Sequence, residues 1–150
     1  MVEIVVNPII PADRDRWAEL WRGYLDFYET RLPPEIYDHT WQRLIAADGT
    51  IHGLGARLGG ATGPLVGIAH YLFHPHAWTA KEVCYLQDLF VDAACRRGGI
   101  GRRLIEAVAG AARDYGVAVR EVDAQALVYQ IDEEETRRLR GSSSSVEGQR

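Results

Sequence analysis

The stretch from Arg96 to Arg102, RRGGIGR, has the composition of an anion-binding loop. Gly98, Gly99 and Gly101 have no side chains, so a phosphate group can come close to the backbone N–H groups. Apolar residues recur at helical spacing from Ile100 to Tyr115, which places the loop at the start of a helix. A helix start has free amide donors and roughly half a positive elementary charge. Position and composition together indicate a site for a phosphate-containing ligand, and the arginines add fixed positive charge.

The same residues are also compatible with a tight turn bordered by solvated arginines, because a glycine-rich stretch alone is a weak signal. The segment lacks the GxxxxGK(S/T) pattern of nucleoside triphosphatases and the GxGxxG pattern of dinucleotide-binding folds. These two kinds of phosphate loop are therefore excluded.

Gln87 and Asp88, in the apolar segment just before the loop, are candidate catalytic residues. Two roles are compatible with Asp88: its carboxylate can attract a cationic amine, or it can be purely structural. Gln87 cannot usefully accept a proton, but it is able to orient a substrate or a water molecule. His70, His74 and His76 lie on a strand and turn with no acidic ligand tied to them, so no metal site is predicted.

The elements that must position these groups are visible in the hydrophobic pattern. Residues 4–10 predict a strand, and two amphipathic helices follow, the second starting after Pro33 and Pro34. The segments IHGLGARL and LVGIAHYLF flank GGATGP and predict a hairpin. Residues 82–91 predict a central strand covered on both faces. The first helix carries six large side chains on one face: Trp17, Leu20, Trp21, Tyr24, Leu25 and Tyr28.

The loop resembles that of the GNAT acetyltransferase superfamily, in which Gln/Arg-x-x-Gly-x-Gly/Ala joins the fourth strand to the third helix. Arg96, Gly99 and Gly101 fill this pattern. The segments GIAHYLFHPHAW and CYLQDLFVD extend the similarity, which covers roughly residues 3–118, toward the spermidine/spermine-type and related small-amine acetyltransferases. The resemblance implies a mixed α/β (α+β) fold, with a mostly antiparallel central sheet flanked by helices.

By this resemblance the enzyme moves an acetyl group from acetyl-CoA to a primary amine of a small molecule. Backbone groups of Leu89, Phe90 and Val91 are expected to bind the pantetheine arm and the acetyl carbonyl. Tyr129 is the candidate general acid, because a tyrosine on the fourth helix often has that role in the superfamily. One alternative is a catalytically impaired acyl-CoA-binding module, which Gln87 and the unusual C-terminal third favour. A structural dimer module is a further alternative, and the intact RRGGIGR stretch argues against it. The pyrophosphate is expected to bind backbone amides of Arg97, Gly98, Gly99, Ile100, Gly101 and Arg102, beside Arg96.

Composition sets the broader expectations. A chain of 150 residues with 47% hydrophobic content predicts one domain, over residues 1–140, followed by a flexible Ser/Gly-rich tail over residues 141–150. A net charge of -4 indicates no nucleic-acid partner, and no apolar run approaches the roughly 20 residues of a membrane span. Cys84 and Cys95 have neither a disulfide framework nor a metal spacing, so a cytoplasmic location is expected.

After about residue 118 the chain no longer resembles the family. The hydrophilic sequence EEETRRLRGSSSSVEGQR occupies the place of the last strand. True divergence, an altered reading frame and a strand supplied by another subunit are all compatible with this. A missing strand leaves an open sheet edge, and open edges favour pairing with a second chain, so a homodimer is expected.

Overall fold

The structure is a computed structural model and describes residues 2–116. The described chain contains four strands and three α-helices. The strands are β1 (Ile4–Pro8), β2 (His52–Leu58), β3 (Leu65–His74) and β4 (Val83–Val91). The helices are α1 (Arg14–Phe27), α2 (Pro34–Ile45) and α3 (Ile100–Tyr115), with short 3-10 turns at Pro11–Asp13 and Ala93–Cys95.

The four strands form one antiparallel sheet in the order β1-β2-β3-β4. Helices α1 and α2 cover one face, where Trp17 and Trp41 pack with Ile68 of β3. Helix α3 covers the other face, where Leu104 and Val108 pack against the sheet. The amphipathic patterns found in the sequence therefore produce three layers, and the predicted mixed α/β arrangement with an antiparallel sheet is confirmed.

The predicted helices, hairpin and third strand are present, with differences at the end of α1 and in the burial of β4. In α1, Trp17, Leu20 and Leu25 are buried as expected, but Tyr28 lies just beyond the end of the helix and is 48% exposed. The expectation that β4 is covered on both faces is wrong at Tyr85 and Gln87, whose side chains are exposed. Within residues 2–116, β4 is the last strand of the sheet.

Strand β4 contains an irregularity that the hydrophobic pattern did not predict. His70 of β3 lies opposite Asp88, but the next residue, Tyr71, lies opposite Leu86. Gln87 is therefore an extra residue in β4, as in a β-bulge, and the bulge changes which side chains face each layer. Leu86 and Leu89 belong to the core beneath α3, whereas Asp88 and Phe90 contact the α1 side.

A buried ion pair fixes the entry into α1. Asp13 and Arg57 have side chains that are only 7% and 8% exposed, and Arg57 Nη2 lies 2.5 Å from Asp13 Oδ2. The same carboxylate oxygen accepts a hydrogen bond of 2.8 Å from the Ile10 amide. These contacts connect the 3-10 turn before α1 to β2, so they help to set the position of α1 over the sheet.

Replacing Asp13 with asparagine is expected to lower the free energy of unfolding by roughly 3–5 kcal/mol, because Arg57 keeps its charge in the core without a counter-ion. Urea denaturation followed by circular dichroism measures the change. Asp15→Asn is the matched control, since Asp15 is an exposed aspartate two residues farther along, in the first turn of α1, and should change stability by less than about 0.5 kcal/mol. Equal effects of the two substitutions would contradict the prediction.

No helix within residues 2–116 has the length and the apolar composition needed to cross a membrane.

Candidate active site

The loop before α3 has the backbone geometry of an anion site. Arg97 and Gly99 have φ angles of 79° and 76°, in the left-handed region that glycine adopts most easily. The first amide of α3 that bonds within the described chain is that of Arg103, which donates to the Gly99 carbonyl at 3.1 Å. The backbone N–H groups of residues 99–102 thus remain available for a ligand. A Cβ added at Gly99 would meet no atom within 4 Å, so the space beside this residue is open.

Contacts from α1 and β3 hold the segment that leads into the loop. Asp92 accepts hydrogen bonds from the Ala94 amide at 3.0 Å and from Arg16 Nη2 at 2.6 Å. The Ala94 amide, followed by the Arg16 guanidinium, lowers the pKa of the Asp92 carboxyl below its ordinary value. Arg16 also donates to the Leu65 carbonyl at 2.9 Å. The entrance of the loop is therefore connected to both neighbouring layers.

The four arginines of the loop region fall into two pairs. Arg96 donates to the Val91 carbonyl at 3.1 Å, and its guanidinium carbon lies 5.3 Å from the centroid of the Phe90 ring. Arg103 donates to the Ile4 carbonyl at 3.2 Å. Arg97 and Arg102 are exposed beside the free amides. Arg96 and Arg103 thus have structural contacts, and Arg97 and Arg102 have side chains that can reach a phosphate group.

Residues 92–98 connect the end of β4 to these amides. Leu89, Phe90 and Val91 pair with β3 on one edge, and their other edge faces no strand within residues 2–116. Helix α1 comes very close to this segment at Gly23, where an added Cβ would lie 2.6 Å from the Phe90 ring. The free edge offers backbone groups to an extended ligand, next to the site expected for a phosphate group.

Gln87 and Asp88 lie at the bulge, but their environments differ. The Gln87 side chain is exposed, whereas the Asp88 side chain is only 14% exposed and Oδ2 lies 2.8 Å from His70 Nδ1. The hydroxyl of Tyr24, from α1, lies 3.4 Å from the Gln87 carbonyl. Burial, and next the Asp88 carboxylate, raises the pKa of Tyr24 well above its ordinary value. Tyr24 is therefore a protonated hydroxyl at neutral pH and is not a base.

The remaining residues singled out in the sequence are Tyr129, the C-terminal tail and three histidines. Tyr129 and the tail over residues 141–150 lie outside the described residues. Of the three clustered histidines, His74 contacts the Pro75 carbonyl and His76 contacts the Trp78 amide. His70, in contrast, is 1% exposed, and its ring contacts the Asp88 carboxylate. Sequence reasoning did not assign His70 this place, although a histidine in the middle of a buried strand required polar partners.

A groove of about 690 Å³ lies between α1 and α2, and Gln87 and Asp88 do not line it. Its walls carry charges of both signs, and Arg14 pairs with Asp38 there at 2.5 Å. Arg22 and Tyr24 are about 200° apart around the helix axis. The groove is therefore on a different side of α1 from the one that faces Asp88, and we do not place the reaction in it.

Comparisons with known proteins agree with this geometry. The family model "Acetyltransferase (GNAT) family" matches residues 15–128. The chain is 41% identical over 114 residues to the D-amino-acid N-acetyltransferase HPA3 of Saccharomyces cerevisiae, covering 75% of this chain and 70% of that protein.

Solved structures show the same fold. A ribosomal-protein-alanine N-acetyltransferase from Brucella melitensis biovar Abortus 2308 has a TM-score of 0.60 at 24% identity, covering 79% of this chain and 76% of that one. The aminoglycoside N-acetyltransferase AAC(6')-Iy in complex with CoA has a TM-score of 0.60 at 17% identity, covering 85% and 88%. GNAT enzymes use acetyl-CoA, which is therefore the co-substrate of this N-acetyltransferase. The chain belongs to the GNAT acetyltransferase family.

Proposed function

We propose that this N-acetyltransferase transfers the acetyl group directly from acetyl-CoA to a primary amine of a small molecule, at the junction of β4 and α3. The observation that carries the proposal is the row of free amides at residues 99–102, directly after the free edge of β4. A strand edge followed by an anion site matches the chemistry of coenzyme A, which has an amide-containing arm attached to a pyrophosphate.

The donor is proposed to bind along this edge. Backbone groups of Leu89, Phe90 and Val91 bind the pantetheine arm and orient the thioester carbonyl. The pyrophosphate binds the amides at the start of α3, and Arg97 and Arg102 supply positive charge. Arg96 holds the Val91 carbonyl through Nε and lies over the Phe90 ring, and its exposed guanidinium is proposed to add positive charge beside the pyrophosphate.

The reaction forms a nitrogen–carbon bond and breaks the carbon–sulfur bond of the thioester. The amine must lose a proton, since only on the order of one alkylamine in a thousand is neutral at pH 7. Asp88 is proposed to attract the ammonium group of the acceptor and to receive its proton, directly or through water, because its carboxylate lies near the end of β4 and is partly exposed. Gln87 is proposed to orient the amine or a water molecule. Tyr129 remains the proposed acid that protonates the leaving thiolate.

The acceptor class is proposed from the similarity to HPA3, whose name describes a D-amino-acid N-acetyltransferase. A D-amino acid carries a primary amine on a small molecule, in agreement with the class expected from the sequence. D-amino acids are therefore the first acceptors to test, and spermidine tests the small-amine subgroup.

Release of coenzyme A, measured with a thiol reagent, tests the proposal. We expect turnover with at least one amine, together with a product whose mass has increased by one acetyl group. L-amino acids are the matched control for D-amino acids, because only the configuration differs. Acetyl-CoA binding without turnover on any amine would instead favour the impaired acyl-CoA-binding module.

A homodimer in the cytoplasm is also part of the proposal. Within the described residues β4 is the last strand of the sheet, and an open strand edge favours pairing with a second chain. Cys95 is a free thiol, which suits a reducing compartment. Light scattering on the purified chain measures its oligomeric state, and a mass of one chain at micromolar concentration would contradict the homodimer.

A further inference from the structure

A chain of hydrogen bonds runs from the core to Asp88. Trp17 Nε1 donates to His70 Nε2 at 2.9 Å, and His70 Nδ1 lies 2.8 Å from Asp88 Oδ2. Trp17 and His70 are 0% and 1% exposed, whereas the Asp88 side chain is 14% exposed. The chain therefore begins in fully buried residues and ends at the carboxylate that borders the proposed acceptor site.

The hydrogen bonds determine the protonation state of His70. An indole N–H is only a donor, so the His70 Nε2 that it contacts must be an unprotonated acceptor. The proton of the neutral ring is then on Nδ1, which donates to Asp88. The contact is therefore a hydrogen bond from a neutral imidazole to a carboxylate, rather than an ion pair.

Trp17 is rigid enough to fix this tautomer. Its ring centroid lies 5.0 Å from that of Trp41 and 5.2 Å from that of Trp21, and Trp21 also contacts the His70 ring at 5.8 Å. Rotation of His70 would bring an N–H or C–H group against the indole donor and leave a buried donor unpaired, which costs about 1–3 kcal/mol. The aromatic cluster of Trp17, Trp21 and Trp41 thus selects one orientation of the imidazole.

We propose that His70 is a positioning residue for acetyl transfer, held by Trp17 as the neutral Nδ1–H tautomer so that it fixes the Asp88 carboxylate toward the acceptor amine. This inference rests on the proposed function of Asp88. His70 lies directly opposite Asp88 at the bulge, so it controls both the side chain and the strand that carries it. The imidazole occupies an acceptor position of Oδ2, and the Tyr24 hydroxyl is a second neighbour of the carboxylate. The acceptor positions that these two groups leave open can receive the ammonium group.

The tautomer is tested without activity. We expect nitrogen NMR of the whole protein labelled at histidine to show, at about pH 7, a protonated Nδ1 and an unprotonated Nε2 for His70. Trp17→Phe removes the donor and keeps an aromatic ring, so it should convert this signal into a mixture of states. If Nε2 of His70 carries a proton in the unaltered protein, either in the neutral Nε2–H tautomer or in the doubly protonated ring, the positioning role is overturned.

The functional test uses two amide substitutions. Asparagine places a donor near the position of Nδ1, whereas glutamine places its amide near Nε2. We expect His70→Gln to lower kcat/KM for the amine about 10- to 100-fold, as for a displaced catalytic group, with KM for acetyl-CoA changed less than about 2-fold. His70→Asn should recover most of the loss. His39→Gln, at an exposed position of α2, is the control.

A double-mutant cycle separates positioning from a general structural effect. If His70 acts through Asp88, His70→Gln should cost less than about 2-fold in an Asp88→Asn background. The same factor in both backgrounds would contradict the proposal. If His70→Gln fails to fold, Trp17→Phe is used in its place. Trp17→Phe is also expected to lower kcat/KM for the amine, and it is combined with Asp88→Asn in the same double-mutant cycle. Absence of turnover by the unaltered protein would overturn the proposed function and this role together, whereas the wrong tautomer would overturn this role alone.

Discussion

Replacing Gly99 with glutamate is expected to weaken acetyl-CoA binding at least about 100-fold. The new carboxylate lies at the first of the four free amides, where the pyrophosphate is proposed to bind, and like charges in close contact cost several kcal/mol. A loss of 2.7 kcal/mol corresponds to about 100-fold in Kd. Titration calorimetry with acetyl-CoA measures the change directly.

Two control substitutions show whether the weaker binding comes from the carboxylate at position 99. One tests backbone strain at this position, and the other tests the change in the net charge of the protein. Gly99→Ala introduces a Cβ at a φ of 76° without a charge, and strain of about 1–2 kcal/mol is expected to appear mainly in stability. Gly110→Glu adds the same carboxylate farther along α3, where an added Cβ meets no atom within 4 Å. Both proteins should retain acetyl-CoA affinity within about 5-fold. Equal losses in Gly99→Glu and Gly110→Glu would place the pyrophosphate elsewhere.

The loop and the helices were predictable because their signals are local. Gly99 is directly before α3 and Gly101 is in its first turn, and the stripe of Trp17, Leu20 and Leu25 repeats at the period of one helix. Each pattern depends only on residues that lie within one loop or one helix. The arrangement of the sheet and its flanking helices was implied by the resemblance to the GNAT superfamily, and not by the periodicity of any one element.

The catalytic side of the site depends on contacts between distant residues. Trp17 and His70 are 53 positions apart, and His70 and Asp88 are 18 apart. The bulge at Gln87 arises from the register of β3 against β4, which no period within β4 reveals. An uninterrupted alternation in β4 would place Leu86 and Asp88 on the same face, whereas the structure places them on opposite faces. Sequence reasoning therefore named Asp88 but had no basis for choosing between its catalytic and structural interpretations.

Replacing Asp88 with asparagine is expected to lower kcat/KM for a charged alkylamine at least about 100-fold, in the range typical of the loss of a group that handles a proton. The asparagine oxygen can still accept the hydrogen bond from His70, so the bulge and the fold should persist. KM for acetyl-CoA should remain within about 2-fold, because Asp88 is not among the groups proposed to bind the donor. Steady-state rates of coenzyme A release, with each substrate varied in turn, measure both quantities.

The acceptor itself shows whether Asp88 acts on the ammonium charge. An amine that is already neutral at pH 7 needs neither electrostatic attraction nor removal of a first proton, so its loss in Asp88→Asn should be at least about 10-fold smaller. Asp26→Asn is the matched control, because Asp26 lines the separate groove between α1 and α2. A loss that is equal for charged and neutral amines would assign Asp88 a structural role. A loss confined to charged amines would instead identify its carboxylate as the group that receives the acceptor.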